Sequence, residues 1–307
     1  MLLLDKPSGI TSHDAVSQVR HLSGQRRVGH AGTLDPLATG LLPLLLGEAT
    51  KLSPFATADD KAYETTARLG VRTDTLDAEG AILSDEPVDP HLDADTVERA
   101  LVPLRGVIQQ QVPRYSAVKM AGRRLHELAR AGQDVTPPIR EVTIHRLQLL
   151  ELRPPELRLA AICSKGTYIR QLVSDLGDAL GPGAHVIALR RTRVGVLDVS
   201  EAVRLDDLRQ PGAIASHLIS PRQWAQRSLP CVECSEDQTR RTRQGQTLSW
   251  NELNHPGREP NARFALVRED ELIAVAQTAD EPDGAYRLLR VFVGPTPAQG
   301  SPDLSDE

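Results

Sequence analysis

The stretch GHAGTLDPLATG, residues 29–40, sets one carboxylate, Asp35, between glycines and apolar residues, and runs directly into LLPLLLG. Asp-Pro opens many turns, because the residue before a proline is pushed out of the helical region. The apolar run behind this turn means that it abuts a buried segment. An ionised carboxylate in such surroundings is costly unless it is paired, so Asp35 calls for a cation supplied from elsewhere in the chain.

Outward from this turn, the chain mixes strand and helix signals. Upstream, LLLD reads as a strand that passes through Lys-Pro-Ser-Gly into TSHDAVSQVRHL. There Thr11 and Asp14 have capping-box spacing, and Ala15, Val16, Val19 and Leu22 share one helical face. Downstream, KAYETTARLG has partial strand alternation, and DADTVERALVPLRG reads as a capped helix ended by Gly106. REVTIHRLQLLEL and ELRLAAICS, joined by RPP, read as an antiparallel pair. GTYIRQLVSDLGDAL is amphipathic, with Ile169, Leu172, Val173, Leu176 and Leu180 on one face. Strands and helices without regular βαβ alternation favour an α+β class over a doubly wound sheet. Composition shifts near RQPGAIASHLISPRQWAQRSLP, after which RFALVRED and ELIAVAQT read as a hairpin and YRLLRVFVG as a further strand. The expected organisation is a large domain over residues 1–226, a small β-rich domain over 227–296 and a disordered acidic tail, 297–307.

Composition bounds the function. Of 307 residues, 40% are hydrophobic and 25% charged, which is ordinary for a globular chain with a sizeable core. Three cysteines, Cys163, Cys231 and Cys234, imply no disulfide framework and fit a reducing compartment. No apolar run approaches the roughly 18 residues of a membrane span. The amino terminus lacks the basic region and cleavage site of a signal peptide, so a cytoplasmic location is expected. The net charge of −5 hides an uneven distribution. Acidic residues crowd DTLDAEGAILSDEPVDPHLDADTVE and the tail. Basic residues gather at Arg20, Arg26 and Arg27, at Arg114, Lys119, Arg123, Arg124 and Arg130, and at Lys165, Arg170, Arg190, Arg191 and Arg193. Such patches can hold phosphates while the whole molecule stays acidic.

GHAGTLDPLATGLLPLLLGEATK, with LLLDKPSGITSHDAV before it, closely resembles the signature of the bacterial tRNA pseudouridine synthases that modify uridine 55 of the T-loop, the pseudouridine synthase B family. The resemblance continues in the family's order through RLGVRTDTLDAEG, PRYSAVKMAGRRLHELAR, CSKGTYIRQLVSDLG and GAHVIALRRTRVG, and spans about residues 2 to 195. It implies a catalytic domain on a mixed, largely antiparallel sheet with flanking helices, an RNA-clasping insertion at about 107–140, and a small PUA-like β-rich domain. The C-terminal region resembles the family's RNA-binding β-barrel only loosely. Family members usually carry a few residues ahead of LLLDKP, so either a clipped first strand or a misplaced start codon is expected.

The resemblance assigns roles. Asp35 matches the essential nucleophile, and Arg170, in GTYIRQ, matches the arginine that pairs with it. A guanidinium beside a carboxylate favours its charged form. Tyr63, in DKAYETTARLG, corresponds to the tyrosine that stacks on the target base and takes part in proton transfer at C5. Tyr168 matches another pocket tyrosine and Leu189 an apolar wall of the uracil site. Stacking on a base contributes roughly 1 to 3 kcal/mol. A base inside a folded loop must be extruded before it can be attacked, and His30 matches the histidine that occupies the vacated space. Lys51 resembles an element near the catalytic loop, with a phosphate or a structural role. Lys119, Arg123 and Arg124 fit phosphate contacts. Isomerisation of uridine involves no net redox change or hydrolysis, so neither cofactor nor metal is expected. The partner is the T-arm of tRNA, and the chain is expected to act as a monomer.

Competing readings stay open on residues alone. Each tyrosine could be a core residue with a satisfied hydroxyl, and each basic cluster a solvated face. CVEC, Cys231 to Cys234, lacks the further ligands of a zinc site and the βαβ setting of a redox site, and reads as incidental. A catalytically silent tRNA-binding folding chaperone is the alternative function. A carboxylate-based hydrolase would need a second catalytic acid that is not evident.

Overall fold

The computed structural model describes residues 1–116, 118–120, 122–131, 133, 136–253, 259–279 and 286–293. Its strands are β1 (Leu2–Lys6), β2 (Val28–His30), β3 (Thr39–Leu46), β4 (Lys61–Leu69), β5 (Val71–Thr73), β6 (Ile82–Asp85), β7 (Gly106–Gln111), β8 (Lys119–Met120), β9 (Arg123–Arg124), β10 (Ile139–Arg153), β11 (Glu156–Cys163), β12 (Ala184–Val194), β13 (Leu197–Asp198), β14 (Val203–Arg204), β15 (Cys231–Glu233), β16 (Arg263–Arg268), β17 (Glu271–Thr278) and β18 (Tyr286–Val291). The helices are α1 (Ser12–Ser23), α2 (Ser53–Ala56), α3 (Ala94–Leu101), α4 (Leu125–Arg130), α5 (Ile169–Leu180), α6 (Ala213–Ser216), α7 (Pro221–Ser228), α8 (Glu236–Arg243) and α9 (Trp250–Leu253).

One large sheet runs in the order β14-β1-β3-β12-β4-β11-β10-β7, with β2 and β13 added at its side. Its pairs are antiparallel except β1 with β14 and β12 with β3. This is the expected mixed, largely antiparallel α+β architecture. The parallel seam between β3 and β12 lies in the middle of the sheet and adjoins the Asp35 turn. β1 pairs with β3 along its whole length, Leu2 to Lys6.

The unbroken apolar runs of β1 and β3 follow from burial on both faces. Successive side chains of a strand point to opposite sides, and the two sets enter different cores. Leu2, Leu4, Leu42 and Leu44 join α1, α3 and α5 in one cluster. Leu3, Leu41 and Leu45 join Trp224 and residues of the second sheet in another. That sheet, β15-β16-β17-β18, thus covers the reverse face of the strands that carry the Asp35 turn. Its own far face packs Phe264, Ile273 and Tyr286 with Leu248 and Leu253.

Local signals explain the helices. α1 begins at the Thr11–Asp14 capping box, with both reciprocal bonds made, and ends at Gly24 in the left-handed conformation. α3 starts at its Asp93 cap but ends at Leu101, short of the expected Gly106. Pro103 has no N–H to donate to the Arg99 carbonyl, so the α-helical ladder stops, and the chain tightens into a 3-10 turn over Val102–Leu104. The region of the expected clasp holds β8, β9 and α4. The tail, 297–307, lies outside the described residues.

Candidate active site

The turn over residues 31–38 is held by its neighbours on several sides. Buried Ser12, the first residue of α1, donates its hydroxyl to the Leu34 carbonyl at 2.9 Å and accepts from the Leu34 N–H at 2.8 Å. The Gly9 N–H donates to the Pro36 carbonyl at 2.9 Å. Lys6, fully buried at the end of β1, donates its ammonium to the Pro7 and Ile10 carbonyls and, at 3.3 Å, to Pro36. Burial pushes the Lys6 pKa down to about 8. With Leu34 locked on one side and Pro36 on the other, the side chain of Asp35 has a defined direction.

Arg170 meets it there. α5 places this arginine almost wholly inside the protein, and its Nε lies 2.9 Å from Asp35 Oδ2. The same guanidinium reaches a second carboxylate, Asp77 Oδ2, at 3.4 Å. Its remaining donors go to the Thr75 carbonyl at 2.6 Å and the Tyr115 carbonyl at 3.0 Å. The Asp35 side chain is 38% exposed and that of Asp77 5%, so of the two acids only Asp35 opens to solvent. Glu79 stands nearby, its carboxyl held above the ordinary range by partial burial and then by the charges of Asp77 and Asp35. One buried cation therefore balances a small acidic cluster, and a planar fork can do so where a point charge could not.

Tyr63 on β4 and Leu189 on β12 are both buried, and they join Leu34 and Ile169 in one apolar cluster. Burial raises the Tyr63 pKa above its ordinary value, so the phenol stays neutral at physiological pH. Tyr168 precedes α5, with its backbone N–H and C=O both taken by the buried Gln110 carboxamide of β7, at 2.8 and 3.1 Å. His30 ends β2, with its Nδ1 buried and without a hydrogen-bond partner. Its pKa is lowered by burial first and by the Arg191 charge second, which favours neutral imidazole. Asp35 and Arg170 thus meet from a turn and a helix, and the Asp35 charge reaches Tyr63 on β4. This is a carboxylate beside an apolar wall with a neutral phenol at hand.

Other expectations are redistributed. Lys51 faces the second sheet. Its ammonium forms an ion pair with Glu48 at 2.5 Å, donates to the Val291 carbonyl at 3.0 Å and lies 5.8 Å from the Phe292 ring centroid. These contacts tie the two sheets together. Of the cluster Lys165, Arg170, Arg190, Arg191 and Arg193, Arg170 and Arg191 are internal and Arg190 forms a forked pair with Asp5, which leaves Lys165 and Arg193 as its exposed cations. Arg123 is exposed, as that role requires, while the side chains of Lys119 and Arg124 lie outside the described residues. Cys231 is exposed and Cys234 buried, both as free thiols. Among the described residues no group of three or more His, Cys, Asp or Glu side chains could hold a metal, and no helix is long and apolar enough to cross a membrane. Asp77 and Gln110 were not among the expected site residues. Asp77 stands in the RTDTLDAEG motif, yet its charge merges there with a longer acidic run.

Residues 20–169 match the TruB family pseudouridylate synthase N-terminal domain, and residues 170–221 match the tRNA pseudouridylate synthase B C-terminal domain. The second match ends before the small sheet begins. The chain is 48% identical over 250 residues to tRNA pseudouridine synthase B of Aromatoleum aromaticum, covering 81% of this chain and 80% of that protein. It is 41% identical over 308 residues to tRNA pseudouridine synthase B of Tolumonas auensis, covering 97% and 94%. In fold it is similar to a chain in the crystal structure of a Cbf5-Nop10-Gar1 complex, with a TM-score of 0.74, 24% identity and coverage of 95% of this chain and 84% of that one. The sequence matches define an enzyme, a pseudouridylate synthase. The chain belongs to the TruB family of these enzymes.

Proposed function

We propose that this enzyme converts uridine 55 in the T-loop of tRNA to pseudouridine, with Asp35 as its nucleophile. The observation that carries the reading is the Asp35–Arg170 pair, in which a buried guanidinium holds a carboxylate that still opens outward. The relatives named tRNA pseudouridine synthase B support tRNA as the substrate.

The reaction breaks the bond from N1 to C1′, turns the uracil and joins C5 to C1′. The ring gains a proton at N1 and loses one at C5, so atoms and electrons balance without a cofactor. Asp35 attacks or stabilises the electron-poor intermediate and leaves again. The route, through ribose, uracil or a glycal, is common to this assignment. Tyr63 stacks on the base and, as a neutral phenol, relays the C5 proton by accepting it while passing on its own. Leu189 and Tyr168 bound the uracil, and neutral His30 fills the place of the extruded base. Arg123, with Lys119 and Arg124, contacts phosphates around the loop. A single chain supplies all these groups, which fits a monomer acting in the cytoplasm. The test is incubation with an unmodified tRNA transcript. Pseudouridine in the T-loop supports the reading, provided that a transcript with that uridine replaced by cytidine gives none. Tight binding of the transcript without product would leave a tRNA-binding folding chaperone instead.

A further inference from the structure

Arg191 is a fully buried cation whose hydrogen bonds go to backbone rather than to an acid. It is 1% exposed. Its Nε donates to the Leu41 carbonyl at 2.7 Å, one terminal nitrogen to the Thr33 carbonyl at 3.2 Å and the other to the Gly32 carbonyl at 3.0 Å. Among the described residues no carboxylate forms an ion pair with it. The three acceptors are informative in their order. Gly32 and Thr33 enter the turn that carries Asp35, and Leu41 leaves it, so one planar group closes both ends of that turn.

The backbone is arranged to allow this. Arg191 on β12 is in register with Gly40 on β3, where the two strands run parallel. Gly40 has φ +98°, and a Cβ there would lie 2.3 Å from the Arg191 carbonyl oxygen, so only glycine admits the approach. On its other side Arg191 is in register with Tyr63 of β4, and directly opposed residues share a face of a sheet. The guanidinium therefore stands between the turn of the nucleophile and the tyrosine of the pocket. A buried charge is retained at a considerable desolvation cost unless it is well hydrogen-bonded, and a methionine of similar length would fill the same space without that cost.

We infer that Arg191 is a positioning residue for the isomerisation, fixing the Asp35 turn against the Tyr63 strand so that acid and phenol face one uracil. The inference rests on the roles proposed for Asp35 and Tyr63. Because the clamp acts on the turn and not on the RNA, its loss slows the chemical step and leaves tRNA binding intact. Arg191→Met removes all three bonds. Arg191→Lys keeps the charge but replaces the fork with a point donor, and it carries the test if the methionine variant fails to fold.

The measurements are the single-turnover rate of pseudouridine formation, the Kd for tRNA transcript, and hydrogen–deuterium exchange of the amides in residues 31–41. For folded Arg191→Lys the expected results are a rate at least tenfold lower, a Kd within threefold of wild type, and exchange at least tenfold faster in the turn with the rest of β12 unchanged. A rate within threefold of wild type, or a Kd that weakens in step with the rate, would overturn the inference. Exchange reads the clamp without turnover. A wild type that makes no pseudouridine would thus defeat the proposed activity, while unchanged exchange in the variant would defeat the clamp.

Discussion

Arg170 approaches Asp35 from inside the protein, with Nε 2.9 Å from Oδ2, while the acid itself remains 38% exposed. The asymmetry matters for chemistry. A carboxylate buried together with its cation could not be reached by a nucleoside, and one paired at the open surface would be held weakly. Here the cation is fixed by four partners, and the acid keeps one side open to solvent.

Asp77 shares that cation. An Asp77→Asn substitution keeps the shape of the side chain and an acceptor for the Glu79 N–H, which now bonds to Oδ1 at 3.1 Å. It removes a negative charge that helps to set the guanidinium between two acids. The expected outcome is a single-turnover rate lower by about tenfold or more, equivalent to about 1.4 kcal/mol of transition-state stabilisation, with tRNA binding unchanged. A rate equal to wild type would show that Asp77 has no part in aligning Arg170.

Lys6 gives a pH signature. Burial lowers its pKa to about 8 in the folded protein, against an ordinary 10.5. Between about pH 8 and 10.5 the unfolded chain therefore binds more protons at this residue, and its contribution to the unfolding free energy rises with pH across that window. Below about pH 8 the full penalty of the buried ammonium is present. The urea midpoint of wild type relative to Lys6→Met should accordingly increase from pH 8 to pH 10. A difference that stays flat or falls would contradict the assignment.

The core shared by the two sheets predicts joint unfolding. Trp224, 1% exposed, packs with Phe55 at 6.4 Å between ring centroids and lies in the cluster that joins β1 and β3 to β16 and β17. Trp224→Ala should destabilise the protein by about 3–5 kcal/mol. It leaves Trp250 as the single tryptophan, and Trp250 packs on Phe264 and Tyr286 of the small sheet. Fluorescence of Trp250 and far-UV circular dichroism should then report one coincident transition. Two separated transitions would mean that the sheets are energetically independent.

Much of this molecule is legible in its sequence, for identifiable reasons. The Thr11–Asp14 box, the β10–β11 pair and the amphipathic face of α5 are local patterns, and each gives the observed element. The need of Asp35 for a cation follows from its apolar neighbourhood, and the motif match points to Arg170. What stays hidden depends on register and direction. Arg191 follows Arg190 in the chain and reads like it, yet one side chain clamps the inside of a turn while the other meets Asp5 at the surface. Successive strand residues point oppositely, and nothing in the dipeptide says which points inward. Lys51 is hidden likewise, since its partners Val291 and Phe292 are 240 residues or more away in the chain. Asp77 is masked by the charges around it, and only the path of Arg170 singles it out.

The most direct measurement is the yield of T-loop pseudouridine from one unmodified tRNA transcript, with wild type and Asp35→Asn compared at equal bound fraction. Stoichiometric product is expected from the wild type and none above background from the variant, although the variant binds the transcript. Product from Asp35→Asn at the wild-type rate, or a wild type that binds and never isomerises, would contradict that expectation.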